Sequence, residues 1–245
     1  MNLVEVFAGV LLNRGQFSAT MNPLDIRSGV ETRARQSEGT SDSAIYKMVA
    51  EVLDKRPVGG LLADVGCGVG NLWPFVRHRF AGYVGVDVIR YDGFPSDARF
   101  SKVDFDSGKV SLADDSVDAV AAVEVIEHLE NPRAFMREIV RLVKPGGWVV
   151  VTTPNQLSVL SLLTIIFKQR FSAFQDVHYP AHIVALLEVD LLRIARECGL
   201  VQIKIVYSNQ GRLILTPWHY PRWLARAFPR ALSDNVLLVG QKRTE

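Results

Sequence analysis

The nonapeptide Asp64-Val65-Gly66-Cys67-Gly68-Val69-Gly70-Asn71-Leu72 decides how the rest of the chain is read. It continues the apolar run Leu61-Leu62-Ala63, which has the length of a strand, and it leads into a segment with helical character. Three glycines at alternate positions allow a sharp backbone bend and leave no side chain between the loop and a ligand. The spacing excludes one common use of such loops. A dinucleotide pyrophosphate is met by G-x-G-x-x-G, whose third glycine falls three residues beyond the second, and here that position is Asn71. Asp64 argues the same way, because a carboxylate beside the loop repels a pyrophosphate; it suits a ligand carrying an ammonium and a sulfonium.

Working outward from this loop, short apolar strands alternate with helices. Strands are expected at 61–65, 83–87, 100–103, 119–123, 148–152, 201–207 and 235–239. Helices are expected around Ile45, Met48, Val49, Val52 and Leu53, over 72–80, after the Asn131-Pro132 start signal, and over 189–198 with Gly199 as the stop. Lys144-Pro145-Gly146-Gly147 reads as another helix stop. The alternation predicts an α/β chain with a doubly wound, seven-stranded, mostly parallel sheet. Ligands of such sheets lie beyond the carboxyl ends of the strands. Asp87 ends the second strand about 20 residues past the glycines, where a carboxylate can accept both hydroxyls of a ribose. Asp104-Phe105 at the end of the third adds an acceptor for an exocyclic adenine amine and a ring to stack on the base.

Four stretches taken together resemble class I S-adenosylmethionine-dependent methyltransferases, over roughly residues 45–155. They are the nonapeptide, V-G-V-D at 84–87, D-D-S-V-D-A-V-A-A-V-E-V-I-E-H-L at 114–129 and L-V-K-P-G-G-W-V-V-V-T-T-P-N at 142–155. The resemblance implies a Rossmann-like methyltransferase fold whose last strand is antiparallel, and S-adenosylmethionine as cofactor. It places Asp64, Gly66, Cys67, Gly68, Gly70, Asp87, Val88, Asp104, Phe105 and Glu124 around that cofactor. The glycines would pass under its methionine and ribose parts, and Glu124 would sit beside the methionine part. Methyl transfer depends mainly on alignment, and a hydroxyl acceptor also needs a base. His128, just after strand four, and His182, in the segment after strand five, are the candidate catalytic residues, with His178 behind them. The expected function is O-methylation of a small-molecule, saccharide or lipid-linked acceptor. The alternative from another class is a non-catalytic cofactor-binding module or scaffold. No metal ligands are assigned, since no Asp plus Asp-Asn set is placed to hold magnesium. Cys67 reads as a small packed residue; Asp106, Asp114 and Asp115 read as solvated turn residues or caps.

With 245 residues the chain suits one large domain. Residues 43–245 are expected to form it, with 1–42 an N-terminal extension or cap and 37–42 a mobile link. Cover insertions are expected at about 156–187 and 208–233. Lys plus Arg, 28, against Asp plus Glu, 26, leaves a net charge of +2, so no overall field selects nucleic acid as a partner. Cys67 and Cys198 are too few for a disulfide framework and fit a reducing cytoplasm. The apolar run from Val6 to Leu12 lacks the basic flank of a signal peptide, and the run at 157–167 is shorter than the roughly 20 residues that cross a bilayer. Residues 217–230 hold no acid. If Pro221 starts a helix there, Arg222, Arg226 and Arg230 share one edge, and Trp223, Leu224, Ala227 and Phe228 the other. Such a face suits either anionic lipid at the inner side of a membrane or a cover over the acceptor pocket.

Overall fold

The computed structural model describes residues 30–36, 39–214, 216 and 218–244. The run from Val6 to Leu12, most of the 1–42 extension and Pro217 lie outside them. The strands are β1 Leu61–Val65, β2 Gly82–Asp87, β3 Arg99–Lys102, β4 Val117–Val123, β5 Val143–Pro154, β6 Leu200–Tyr207 and β7 Asn235–Lys242. They form a single sheet in the order β3-β2-β1-β4-β5-β7-β6. β1 to β5 pair in parallel, and β7 runs antiparallel to both β5 and β6. The order reverses between β1 and β4, so the carboxyl ends of these two strands frame a crevice.

Helices cover both faces. α1 is Val30–Gln36, α2 Ser43–Asp54, α3 Trp73–Val76, α4 Pro132–Leu142, α5 Val159–Lys168, α6 Glu188–Glu197 and α7 Arg222–Ala227. α2 starts where Asp42 accepts the Ala44 amide at 2.8 Å, and α4 starts where the Asn131 side chain accepts that of Ala134 at 3.0 Å. The central strands are apolar on both faces, as parallel strands sandwiched between helices must be. On one side Ala63, Val65, Val120, Ala122, Val149 and Val151 meet Phe135 and Ile139 of α4 and Leu191 and Ile194 of α6. On the other, Leu62, Ala119, Ala121, Trp148 and Val150 meet Ile45, Val49, Val52 and Leu53 of α2. The alternation along each strand sends successive side chains to opposite cores.

Three local expectations change. The helix expected over 72–80 is a single turn: Leu72 offers no side-chain cap, and after Val76 the chain closes tightly, with the Arg79 amide bonding the Val76 carbonyl. The stop at Lys144 to Gly147 belongs to β5, because Val143 already pairs with Val117 before a register shift brings Trp148 opposite Ala119. Gly39, in the expected mobile link, is seated on the glycine loop, its carbonyl accepting the Val69 amide at 3.1 Å. Among the described residues no helix is long and apolar enough to cross a membrane.

Candidate active site

A cavity of 320 Å³ opens at the carboxyl ends of β1, β2 and β4. Its floor is the glycine loop. Gly66 and Gly68 have φ of +70° and +51°, and a Cβ on Gly68 would stand 2.0 Å from the Gly39 carbonyl oxygen. No L side chain fits that approach. Asp87 fixes the loop from below: its carboxylate accepts the amides of Gly68 at 2.9 Å and Val88 at 2.7 Å, with Ile89 at 3.3 Å.

Buried Asp64 and Asp87 and partly buried Glu124 line the cavity, with exposed Asp42 at its edge. Asp64 accepts the Tyr83 hydroxyl at 2.8 Å, and burial pushes its pKa up to about 7. Glu124 stands at the end of β4 with φ +54°, a left-handed conformation that costs a non-glycine residue energy. Thr152 and Asn235 hold it there, each donating to its carboxylate at 3.0 Å. Burial also pushes Glu124 up to about 7. Asp87 is raised by burial against the pull of its three amides. Among the described residues the one arginine on the lining, Arg33, is engaged by Asp106 at 2.6 Å. A cleft lined by the carboxylates of Asp42, Asp64, Asp87 and Glu124, with no free arginine or lysine among the described residues of its lining, fits a cationic ligand, and an adenosyl sulfonium with an ammonium matches that charge pattern.

The other predicted cofactor residues divide. Gly66, Cys67, Val88 and Phe105 line the cavity, and Phe105 is held edge-on against Phe135. Gly68 and Gly70 shape the loop beneath without lining it. Asp104 is not on the lining, and both its carboxylate oxygens serve its own turn, accepting the Asp106 amide and the Ser107 hydroxyl. Burial holds the Cys67 thiol strongly protonated, as a packed residue should be. Asp106, expected to be solvated, is instead the buried partner of Arg33 and accepts the Glu130 amide. That pair ties α1, whose place no local sequence signal reveals, to the rim of the cavity.

His128 and His182 meet on the opposite wall. Their ring centroids are 4.8 Å apart, and His178 stacks on His182 at 5.4 Å. His128 donates from Nδ1 to the Ala181 carbonyl at 2.9 Å, and His182 from Nδ1 to that of Ala173 at 2.7 Å. A carbonyl only accepts, so both rings carry a proton on Nδ1; His128 has a further backbone hydrogen bond, to Glu124. Burial, then the neighbouring His182, pushes His128 down to about 4, and burial lowers His182 as well. Both rings are therefore neutral at neutral pH. Glu127, which the sequence reading passed over, lies fully buried behind them; its one signal was its place between Glu124 and His128. Its Oε2 accepts the Thr153 hydroxyl at 3.1 Å, and its Oε1 has no partner among the described residues. Burial and the nearby Glu124 raise it well above the usual carboxylate range, so it is held protonated. Its backbone carbonyl accepts the amides of Ile183 and Val184, fastening the covering segment. One ligand atom from each of Glu127, His128 and His182 lies within 4.8 Å of the others, a set that composition and spacing did not reveal.

The first insertion covers the cavity through Val177, His178, Ala181 and His182. The second does not: no described residue of 208–233 lines it, and Arg222 and Arg226 border a separate groove.

A family model described as a methyltransferase domain matches residues 38–203. Two relatives, each named ubiquinone biosynthesis O-methyltransferase, come from Chromobacterium violaceum and Maricaulis maris. The first is 32% identical over 119 residues, 44% of this chain and 50% of its own length. The second is 31% identical over 121 residues, 46% of this chain and 48% of its own length. The chain thus spans about half the length of the curated relatives it matches. A solved S-adenosylmethionine-dependent methyltransferase from Archaeoglobus fulgidus superposes with a TM-score of 0.62 at 16% identity, covering 87% of this chain and 100% of that one. That likeness concerns the fold.

Proposed function

The chain belongs to the class I S-adenosylmethionine-dependent methyltransferases, and on that premise we propose that it methylates a hydroxyl of a small-molecule, saccharide or lipid-linked acceptor, with the His128–His182 pair as the proton acceptor. The observation that carries this reading is the pair of neutral rings at the cavity wall, each oriented by an Nδ1–H bond to a backbone carbonyl, which leaves the Nε2 of His182 as the nitrogen that can accept a proton. The family's cofactor supplies, when bound, a methyl group made electrophilic by its sulfonium. Asp64, Asp87, Glu124, Val88 and Phe105, with the Gly66–Gly70 loop, would hold it.

The chain's own groups do the rest. Asp64 and Glu124 offer negative charge to a cationic ligand, Asp87 offers acceptors to a ribose, and the 171–184 segment keeps water from the reacting oxygen. His182 takes the hydroxyl proton, and His128 holds that ring edge-on at 4.8 Å. The relatives' names support an oxygen acceptor of quinone-precursor type. The exposed side chains of Leu162 and Ile166 on α5 and of Trp223 and Phe228 near Arg222 and Arg226 support peripheral contact with a membrane that carries such an acceptor.

The test is transfer of labelled methyl from S-adenosylmethionine to hydroxylated aromatic and saccharide panels and to cell lipid extract. Label on oxygen is the expected result; cofactor binding with no labelled product from any source would replace the enzyme with a binding module. A second reading rests on the Glu127, His128 and His182 atoms, which suit a divalent cation as well as a proton. Activity that survives dialysis against a chelator keeps the histidine-base reading. Loss restored by added metal transfers the role to a cation.

A further inference from the structure

A second concave region lies away from this cavity. It is a groove of 810 Å³ bounded by α2, by the sheet-edge strand β6 and by α7. Lys47, Lys55 and Arg56 line it from α2 and the residues after it, Lys204 from β6, and Arg222 and Arg226 from α7. Glu51 is the one acid on the lining among the described residues. Among the described residues none of these six cations takes part in an ion pair. Elsewhere on the surface cations do find carboxylates: Lys102 meets Glu31, Arg133 meets Glu197 and Lys242 meets Asp115. The excess of positive charge is local to the groove.

The floor adds an independent observation. Met48, Val52 and Trp148 are buried there, and the Arg56 guanidinium lies 4.8 Å over the Trp148 ring. Trp148 is 5% exposed, and among the described residues its indole N–H has no acceptor; neither has the Nε–H of Arg56, whose terminal amine bonds the Val52 carbonyl. Buried donors almost always find a partner. The rim cations, without an ion pair among the described residues, are the complement of an acceptor-rich anion, and beneath them the Trp148 and Arg56 donors lie closed off from the groove.

We infer that this groove is a second ligand site, for a small organic phosphate whose charged end engages the rim cations and whose organic part lies over the stacked Arg56 and Trp148. The volume exceeds what one phosphate fills and lies in the range of small-molecule sites. A flat anionic bilayer cannot converge on cations set around a concave groove. Single-stranded nucleic acid needs exposed rings to stack on. The aromatic side chains on the lining are Trp148, buried under Arg56, and Tyr207, whose hydroxyl is given to Glu188. A single small molecule remains as the occupant.

The test is titration calorimetry on the full chain at low salt, with inorganic pyrophosphate and with ATP as probes, each with and without S-adenosylmethionine. The inference expects one saturable site per chain, tighter for ATP, indifferent to S-adenosylmethionine and weakened at least about tenfold by Lys55→Ala with Arg226→Ala. Trp148→Phe should weaken it several-fold, while Lys109→Ala with Lys168→Ala leaves it unchanged; thermal melts establish that each variant is folded. The surface pair keeps the test decisive if Trp148→Phe does not fold. Absence of saturable binding to either probe at millimolar concentration overturns the inference. Displacement by S-adenosylmethionine, or equal loss in the Lys109 and Lys168 control, does the same. So does binding to phosphatidylglycerol vesicles that the Lys55 and Arg226 variant abolishes while both soluble probes fail, which would make this a membrane face.

Discussion

Arg33 of α1 donates to Asp106, just beyond β3, at 2.6 Å, and both side chains are only 11% exposed. Two segments 73 residues apart are thereby pinned across the mouth of one cavity. Removing either partner leaves a charge in a poorly hydrated place. Arg33→Ala and Asp106→Ala should each lower S-adenosylmethionine affinity about tenfold, and a double-mutant cycle should return a coupling of about 1–3 kcal/mol. Additive losses in that cycle would show that the pair does not act on the cavity as a unit.

Asp87 carries two duties at once. It faces the cavity and accepts three backbone amides, so Asp87→Ala strands buried donors at about 1–3 kcal/mol each as well as removing the acceptors proposed for a ribose. The alanine variant should therefore lose several degrees of Tm together with cofactor binding. Asp87→Asn retains one oxygen acceptor and should fold close to normally while still losing affinity by about tenfold or more. Calorimetry with a parallel thermal melt separates the two effects.

Gly68→Ala tests the loop. At φ +51° the new Cβ meets the Gly39 carbonyl oxygen at 2.0 Å, a backbone atom that cannot swing aside. We expect about 1–3 kcal/mol of destabilisation from strain and overpacking, with cofactor binding lost because the 39–42 segment is pushed off the loop. An alanine variant with normal Tm and affinity would show that the approach of Gly39 to the loop is dispensable.

Affinity for the cationic cofactor should rise with pH. Asp64 is pushed up to about 7 by burial, a cation prefers its ionised form, and protons compete for it below that value. Affinity should fall by up to about tenfold per pH unit well below 7 and level off above. Glu124, also pushed up to about 7, faces the same cavity and contributes in the same sense. Asp64→Asn should flatten much of the profile. Tyr83→Phe removes the hydrogen bond that lowers the Asp64 value, so its inflection should move to higher pH. Folding stability of the free protein has the opposite slope. A carboxyl raised from 3.8 to about 7 on folding makes the folded state bind more protons, and stability falls as pH rises between those values.

His182→Ala and His128→Ala should each reduce turnover by about 10²–10⁴-fold, with cofactor affinity within a few-fold of normal. His178→Ala, which removes a ring whose Nδ1 already accepts the Gln175 amide at 3.2 Å, should have a smaller effect. Single-turnover rates on an identified acceptor give the comparison.

By itself the sequence determined the α/β alternation, the seven strands and the glycine bend with its carboxylates at Asp64 and Asp87. These features are local: strand length, helix caps and the conformational needs of glycine are written within a few residues of where they act. The antiparallel last strand came from resemblance, and the sheet bears it out. Tertiary structure alone decided that Asp104 spends its oxygens on its own turn, that Asp106 is the buried partner of Arg33, and that Glu127 stands behind two histidines 54 residues apart in sequence. It also left the described residues of 208–233 off the cavity lining and gathered six cations into a groove no motif announces. Ionisation and partnership depend on which distant side chains share a volume from which water is excluded, and that volume exists only once the sheet has assembled.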